Sequence, residues 1–314
     1  SDSTRVEWML DDQMLDLDEQ ANTFTFDPSL VAPGVYKLSA RVKDNSVPSL
    51  THQTHLYIQL LENAPQLGNG DSDGDGISDI DEGFTDADRD ANADYQDAIS
   101  ATNLQPVKAA SGQSHIMECE AGLICRPAYW AIADGEMGIA VNTDQLSNIP
   151  VDTSFNNVGG LYAFEVSGLS ENGATVLVVI PQLKAIPANA VYRKVNELGE
   201  WQDFIEDADN QLASAPGAEG YCPPPGSALW QPGLGEGHWC VQLSLEDGGA
   251  NDLDGQANGF VQDPGGVAQQ KEVQKFTSSG GGSISLMILG WFMLLLLGRG
   301  KSTALPAITY RKFN

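Results

Sequence analysis

Val35-Tyr36-Lys37-Leu38-Ser39-Ala40-Arg41-Val42-Lys43-Asp44 alternates apolar with polar side chains. A period of two sends successive side chains to opposite faces, which predicts a half-buried β-strand. Pro33-Gly34 supplies a turn just before it. Working outward, the same period runs through Arg5-Val6-Glu7-Trp8-Met9-Leu10, Thr23-Phe24-Thr25-Phe26 and His55-Leu56-Tyr57-Ile58-Gln59-Leu60. Residues 1–62 therefore read as a small β-sandwich.

Further along, strand-like runs return over 101–268, separated by Gly, Pro and Asn turns. They include Tyr129-Trp130-Ala131-Ile132, Gly138–Val141, Leu161–Val166, Ala174–Ile180, Ala190–Val195 and Cys240–Leu245. Short strands with frequent turn punctuation predict a second antiparallel sandwich, and no long amphipathic helix is evident. The expected fold is mainly β: two antiparallel β-sandwich domains joined by a loop-rich spacer, with a hydrophobic helix at the C-terminus.

The spacer is where charge concentrates. The 314-residue chain carries a formal net charge of -27. Residues 1–272 hold 43 acidic against 11 basic side chains, whereas 273–314 hold five basic and no acidic ones. Eleven carboxylates crowd into 71–97 against the single Arg89. Left unneutralised, such a run repels itself. The acidic balance argues against nucleic acid, whose affinity comes mainly from Lys and Arg at phosphates, and favours cations.

Within this run, Asp71-Ser72-Asp73-Gly74-Asp75-Gly76-Ile77-Ser78-Asp79-Ile80-Asp81-Glu82 has the spacing of a twelve-residue calcium loop. Calcium is a hard cation that takes six to eight oxygens, and alternating carboxylates on a turning chain provide them. Asp71, Asp73 and Asp75 are the early ligands, Ile77 gives a backbone carbonyl, Asp79 acts directly or through water, and Glu82 closes the set. A second copy follows at once, with Asp86, Asp88, Asp90, Asn92, Asp94 and Asp97 at the same offsets and Ala91 in place of the turn glycine. A weaker third cluster, Asn251-Asp252-Leu253-Asp254-Gly255-Gln256-Ala257-Asn258, offers Asp252, Asp254 and Asn258, either as ligands or as an ordinary Asx/Gly turn.

Several stretches resemble modules of bacterial surface proteins. Trp8, Phe24, Phe26, Pro33–Leu38 and Val42-Lys43-Asp44 resemble a PKD-type or related immunoglobulin-like module over residues 1–62. The two back-to-back loops lack flanking helix pairs, with Pro65 and two glycines ahead of Asp71, and resemble thrombospondin type-3 repeats over 63–100. That resemblance implies a calcium-stiffened spacer. Leu161–Val166, Trp201–Phe204, Tyr221-Cys222-Pro223, Gly237–Cys240 and the ending Asp247-Gly248-Gly249 through Val267 resemble the choice-of-anchor U domain over 101–268. That family implies location and architecture rather than a chemistry.

After a polar linker at 269–283 comes an uncharged apolar run, Ile284–Leu297, then Arg299 and Lys301, with 302–314 as a tail. Fourteen residues at a rise of ~1.5 Å per residue fall short of the ~30 Å hydrocarbon core. Gly280-Gly281-Gly282-Ser283, the apolar run at 284–301 and its cations resemble a GlyGly-CTERM sorting tail. The resemblance implies membrane contact through the tail, processing near those glycines by a rhomboid-type protease, and delivery to the cell envelope. Residues 302–314 overrun the pattern. The opening at Ser1, with neither Met nor a signal peptide, predicts a mature or truncated product of something longer, and export is inferred from other features.

Four cysteines, Cys119, Cys125, Cys222 and Cys240, have no CxxC metal spacing. They are read as two disulfides, nearest-neighbour pairing being the simplest of three connectivities, with buried thiols as the alternative. Catalytic constellations are poor: His52-x-x-His55 lacks the helix of a zincin, His115 and His238 are scattered, and GxSxG, P-loop and strand-linked GxGxxG motifs do not occur. The leading expectation is a non-enzymatic, calcium-binding surface stalk and anchor that presents or adheres modules, with an unknown adhesive ligand. Two alternatives stand beside it: a glycan-binding module using Trp201, Trp230 and Trp239, or the non-catalytic C-terminal part of a larger surface hydrolase.

Overall fold

The computed structural model describes residues 4–15, 27–90, 92–108, 115–134, 138–142 and 149–272. The expected strand at Thr23–Phe26 and the hydrophobic segment with its Gly/Ser approach lie outside the described residues. The chain is mainly β, and among the described residues every pairing between named strands is antiparallel.

The alternating runs at the N-terminus become β1 (Thr4–Leu10), β2 (Gln13–Met14), β3 (Gly34–Asp44) and β4 (Thr51–Leu60), in a four-stranded sheet ordered β2-β1-β3-β4. Register places Trp8 opposite Ala40 and Ser39 opposite His55. Beyond the acidic segment come β5 (Leu104–Pro106), β6 (Ile116–Cys119), β7 (Ile124–Pro127), β8 (Ala140–Val141), β9 (Phe155–Asn157), β10 (Leu161–Ser167) and β11 (Thr175–Pro181). They are followed by β12 (Val191–Val195), β13 (Trp201–Asp203), β14 (Gln211–Ala215), β15 (Gln231–Pro232), β16 (Cys240–Glu246) and β17 (Phe260–Gln270).

These thirteen strands make two sheets. One runs β15-β14-β16-β11-β6-β5; the other runs β13-β12-β17-β10-β7, with β8 also on β10 and β9 on β17. Their inner faces share one core, built by period-two residues from each: Val176, Val178 and Ile180 of β11 and Val241, Leu243 and Leu245 of β16, against Tyr162, Phe164 and Val166 of β10 and Val261 and Val267 of β17. Removing each such side chain from water contributes about 1.5–3 kcal/mol.

The outer face of the second sheet is covered as well. Leu161 and Ala163 point away from the shared core and pack with Ala128, Ala131, Val141 and Val195. Burial on both faces explains why Leu161–Ser167 is buried at every position. Part of that cover is a helix, Tyr129–Asp134, where the run Tyr129–Ile132 predicted a strand. Ala131 and Ile132 both donate to Ala128 O, and Ala131 is buried beneath. A four-residue apolar run has no periodicity that separates helix from strand, and the tertiary position decided it.

The N-terminal sheet supplies the rest of the cover. His55 and Tyr57 of β4 reach Phe260 and Tyr129, at ring separations of 4.4 and 6.0 Å. The described residues up to Lys271 accordingly fall in one compact unit. No helix among the described residues is long and apolar enough to cross a membrane.

Candidate metal centre

The acidic segment folds as two loops that repeat each other at an offset of fifteen residues. In the first, Asp79 N donates to Gly70 O at 2.8 Å; in the second, Asp94 N donates to Thr85 O at 2.7 Å. Ser72 N donates to Asp79 Oδ1 at 2.8 Å, and Ala87 N to Asp94 Oδ1 at 2.9 Å. Ile77 N donates to Asp75 Oδ1 at 2.7 Å, and Asn92 N to Asp90 Oδ1 at 2.8 Å. Asp79 and Asp94 thus close their loops, each also accepting a hydroxyl, from Ser72 and Thr85 respectively.

Closure draws the early carboxylates together. Asp71, Asp73 and Asp75 bring ligand oxygens within 4.8 Å of one another, and so do Asp86, Asp88 and Asp90. Like charges this close favour either protonation or a cation. Burial, followed by repulsion from neighbouring carboxylates, pushes Asp73, Asp88 and Glu82 above their ordinary values. Burial drives Asp90 up to about 7 and Asp97 to about 6, with further repulsion from neighbouring carboxylates. Glu82 feels Asp73, Asp75 and Asp71, and Asp97 feels Asp88, Asp73 and Asp86. The twelfth residue of each loop therefore lies within electrostatic reach of that loop's triad, and Asp97 also feels the first loop.

Three oxygens mark where a cation fits. Asp73 Oδ2, Glu82 Oε2 and Asp88 Oδ2 are buried and accept no hydrogen bond. Buried carboxylate oxygens without a partner are costly, and a hard divalent ion supplies what the protein withholds. The all-oxygen donor set suits Ca²⁺, Mg²⁺ or Mn²⁺ rather than a soft metal.

The loops differ in their settings. Gly74 sits at φ +82, a left-handed conformation that suits glycine, and its counterpart Arg89 holds φ +69 with a full side chain. Ala91 lies outside the described residues. Asp71 and Asp75 are exposed and Asp79 is half-buried, whereas Asp90 and Asn92 are buried against Gln105 of β5. Asn92 Nδ2 donates to Gln105 Oε1 at 3.2 Å and to Asp90 Oδ2 at 3.1 Å, and Gln105 Nε2 donates to Asp90 Oδ2. Phe84 and Tyr95 meet edge to face at 5.6 Å across the base of the second loop.

The third acidic cluster is engaged differently. Asp252 accepts from Gln262 N at 3.0 Å and Gly248 N at 2.9 Å; Asp254 accepts from Gln256 N and Asn258 Nδ2. Asp247, which the sequence did not single out as a ligand, takes backbone N–H groups from Gly173, Asn258 and Gly259. These carboxylates hold the turn into β17 with protein donors.

Disulfides join Cys119 to Cys125 and Cys222 to Cys240, with Cα separations of 6.5 and 5.5 Å, the nearest-neighbour pairing. Two disulfides point to an oxidising or extracellular environment. Gly280, Gly281, Gly282 and Ser283 lie outside the described residues.

His52 is exposed and His55 buried, three residues apart on β4, so the strand turns them to opposite faces. Trp201, Trp230 and Trp239 are each half-buried. Trp201 and Trp230 tie their indole N–H groups to Pro150 O and Pro224 O.

A second polar constellation escaped sequence reasoning. Glu165, on the outer face of β10, is fully buried, with His55 Nε2 at 2.5 Å, Gln262 Nε2 at 2.6 Å and Arg126 Nε at 3.3 Å. Burial alone would raise its carboxyl, but the hydrogen bond and charge from His55, together with Arg126 and Gln262, hold it below the ordinary 4.5. Beside it, a cavity of about 940 Å³ opens between β4, the second loop and the outer face of the sheet, lined by His52, Tyr57, Arg89, Asn92 and Arg126 among others. His55 and Glu165 lie 110 residues apart, so no local pattern links them.

No family model, curated protein or solved structure matches the chain.

Proposed function

We propose that this chain is a non-enzymatic, calcium-binding stalk and anchor region of an exported surface protein. The observation that carries the reading is the pair of acidic loops, each with a carboxylate triad within 4.8 Å and, between them, three buried oxygens that accept no hydrogen bond. Calcium is the cation of choice for seven-fold oxygen sets on flexible loops, since Mg²⁺ demands stricter octahedral geometry. Asp71, Asp73, Asp75 and Glu82 would hold one ion, with the Ile77 carbonyl. Asp86, Asp88, Asp90 and Asp97 would hold another, with Asn92. Bound ions would neutralise the acidic run and stiffen the segment beside the junction of the two β regions.

The finer architecture belongs to the same proposal: an immunoglobulin-like module over 1–62, a thrombospondin type-3-like spacer over 63–100, a choice-of-anchor U-like sandwich over 101–268, and a GlyGly-CTERM-like tail that holds the protein at the envelope until a rhomboid-type protease acts. Two disulfides support export. Isothermal calorimetry of the full chain tests the calcium reading: saturable binding in the native protein, lost in part in Asp73→Ala/Asp75→Ala and wholly when Asp88→Ala is added, is expected. Absence of binding at millimolar calcium would sink it.

A further inference from the structure

Lys194 and Asp263 stand on neighbouring strands in the core between the two sheets. Lys194 of β12 is paired with Gly265 of β17, so Asp263 is its diagonal neighbour on the same face, two residues along. Both side chains are almost wholly buried, at 2% and 0% exposure, and Lys194 Nζ contacts Asp263 Oδ1. The other carboxylate oxygen, Oδ2, accepts a hydrogen bond from Tyr192 Oη at 3.2 Å. Phe204 packs over the group, its ring 5.9 Å from Nζ and edge to face with Tyr192 at 6.0 Å. On the sheet's other long pairing, Asp263 is opposite Phe164.

Gly265 makes this contact possible. A β-carbon there would come within 2.4 Å of the Tyr192 ring and 2.9 Å of Asp263 Oδ1. The glycine leaves the space through which Lys194 and Tyr192 converge on the carboxyl group. An amine and a carboxyl pressed together in an apolar core lose most of the hydration that keeps them charged. Burial lowers the Lys194 amine and raises the Asp263 carboxyl, against their mutual attraction. Both shifts favour the neutral amine and the neutral acid, the forms that condense.

We propose that Lys194 Nζ and Asp263 Cγ form an intramolecular isopeptide bond that cross-links β12 to β17. One proton passes from the Nζ ammonium to Oδ1, leaving a neutral amine whose lone pair attacks Cγ. Tyr192 donates to Oδ2 as negative charge develops there. A second proton moves from nitrogen to Oδ1, the Cγ–Oδ1 bond breaks, and one water leaves. Two protons and Oδ1 account for that water, the product amide keeps one N–H, and no oxidant or co-reactant is consumed. The bond would fasten two strands of the sheet by a covalent link at a position where the calcium loops play no part.

Intact mass of the full, folded chain after reduction and alkylation decides the matter. The native protein is expected one water lighter than the mass of its fully alkylated sequence, and proteolysis should yield a branched peptide joining 191–195 to 260–270. Lys194→Met and Asp263→Leu should each have the full sequence mass, and Tyr192→Phe should contain a smaller cross-linked fraction at equal age. A native chain at full sequence mass overturns the proposal whether or not the variants fold. So does a water loss that persists in Lys194→Met, since it must then arise elsewhere, as at an Asp-Gly succinimide.

Discussion

Asp90 and Glu165 are both buried carboxylates, and their acidities move in opposite directions: burial lifts Asp90 to about 7, while Glu165 is held below 4.5. Glu165 faces His55, Arg126 and the Gln262 amide, all contributed by distant parts of the chain. Asp90 faces the amides of Asn92 and Gln105 and the charges of Asp88 and Asp97. The β junction contains its own positive partners. The acidic segment 71–97 gathers eleven carboxylates around the single Arg89, an arrangement whose repulsion a cation from solution could relieve.

Several measurements would break or sharpen that contrast. Glu165→Ala leaves buried His55 and half-buried Arg126 without their carboxylate, and the loss of stability is expected at about 3–5 kcal/mol. Urea unfolding should give the same loss with and without calcium; a calcium-dependent loss would tie the junction to the loops. The sign with pH follows from the lowered Glu165 value. Its contribution is present above 4.5 and lost as pH falls through the folded-state value, so the native protein should lose more stability on acidification than Glu165→Gln.

Chelating calcium should cost about 2.7 kcal/mol per site at a hundredfold excess over Kd, and expose 63–100 to protease. Equal cleavage with and without calcium would remove the distinction between the two regions. Gln105→Ala takes a donor from buried Asp90 and should destabilise the chain by about 1–3 kcal/mol, with the penalty reduced when calcium is bound. The smallest effect concerns the turn: Arg89→Gly should be neutral or stabilising by up to about 1 kcal/mol, whereas Gly74→Ala at the equivalent left-handed position should destabilise by a similar amount.

Much of this was legible from residue order. The period of two in Val35–Asp44 and Cys240–Leu245 gave strands because alternation fixes which face each side chain takes. The carboxylate spacing of 71–82 and 86–97 places two like loops in a row because turn closure is local: each loop is tied by bonds spanning a few residues. Nearest-neighbour cysteines were local in the same sense.

What sequence order could not supply depends on contacts made across the fold. Pro264-Gly265-Gly266 has the composition of a turn, yet it runs through the middle of β17 in a central position of its sheet. The reason is space: a β-carbon on Gly266 would come within 2.2 Å of Gly160 O, and one on Gly265 would strike Tyr192, so close approach demands glycine where local propensity would forbid a strand. The same holds for Glu165 with His55 and for Asp263 with Lys194, pairs separated by 110 and 69 residues. Local spacing determined which runs could be strands, because alternation fixes the face each side chain takes, and it determined the two acidic loops, because their hydrogen bonds close within each loop. Only the tertiary structure chose the partners of the buried charges, because desolvation and pairing are set by whatever the rest of the chain brings alongside.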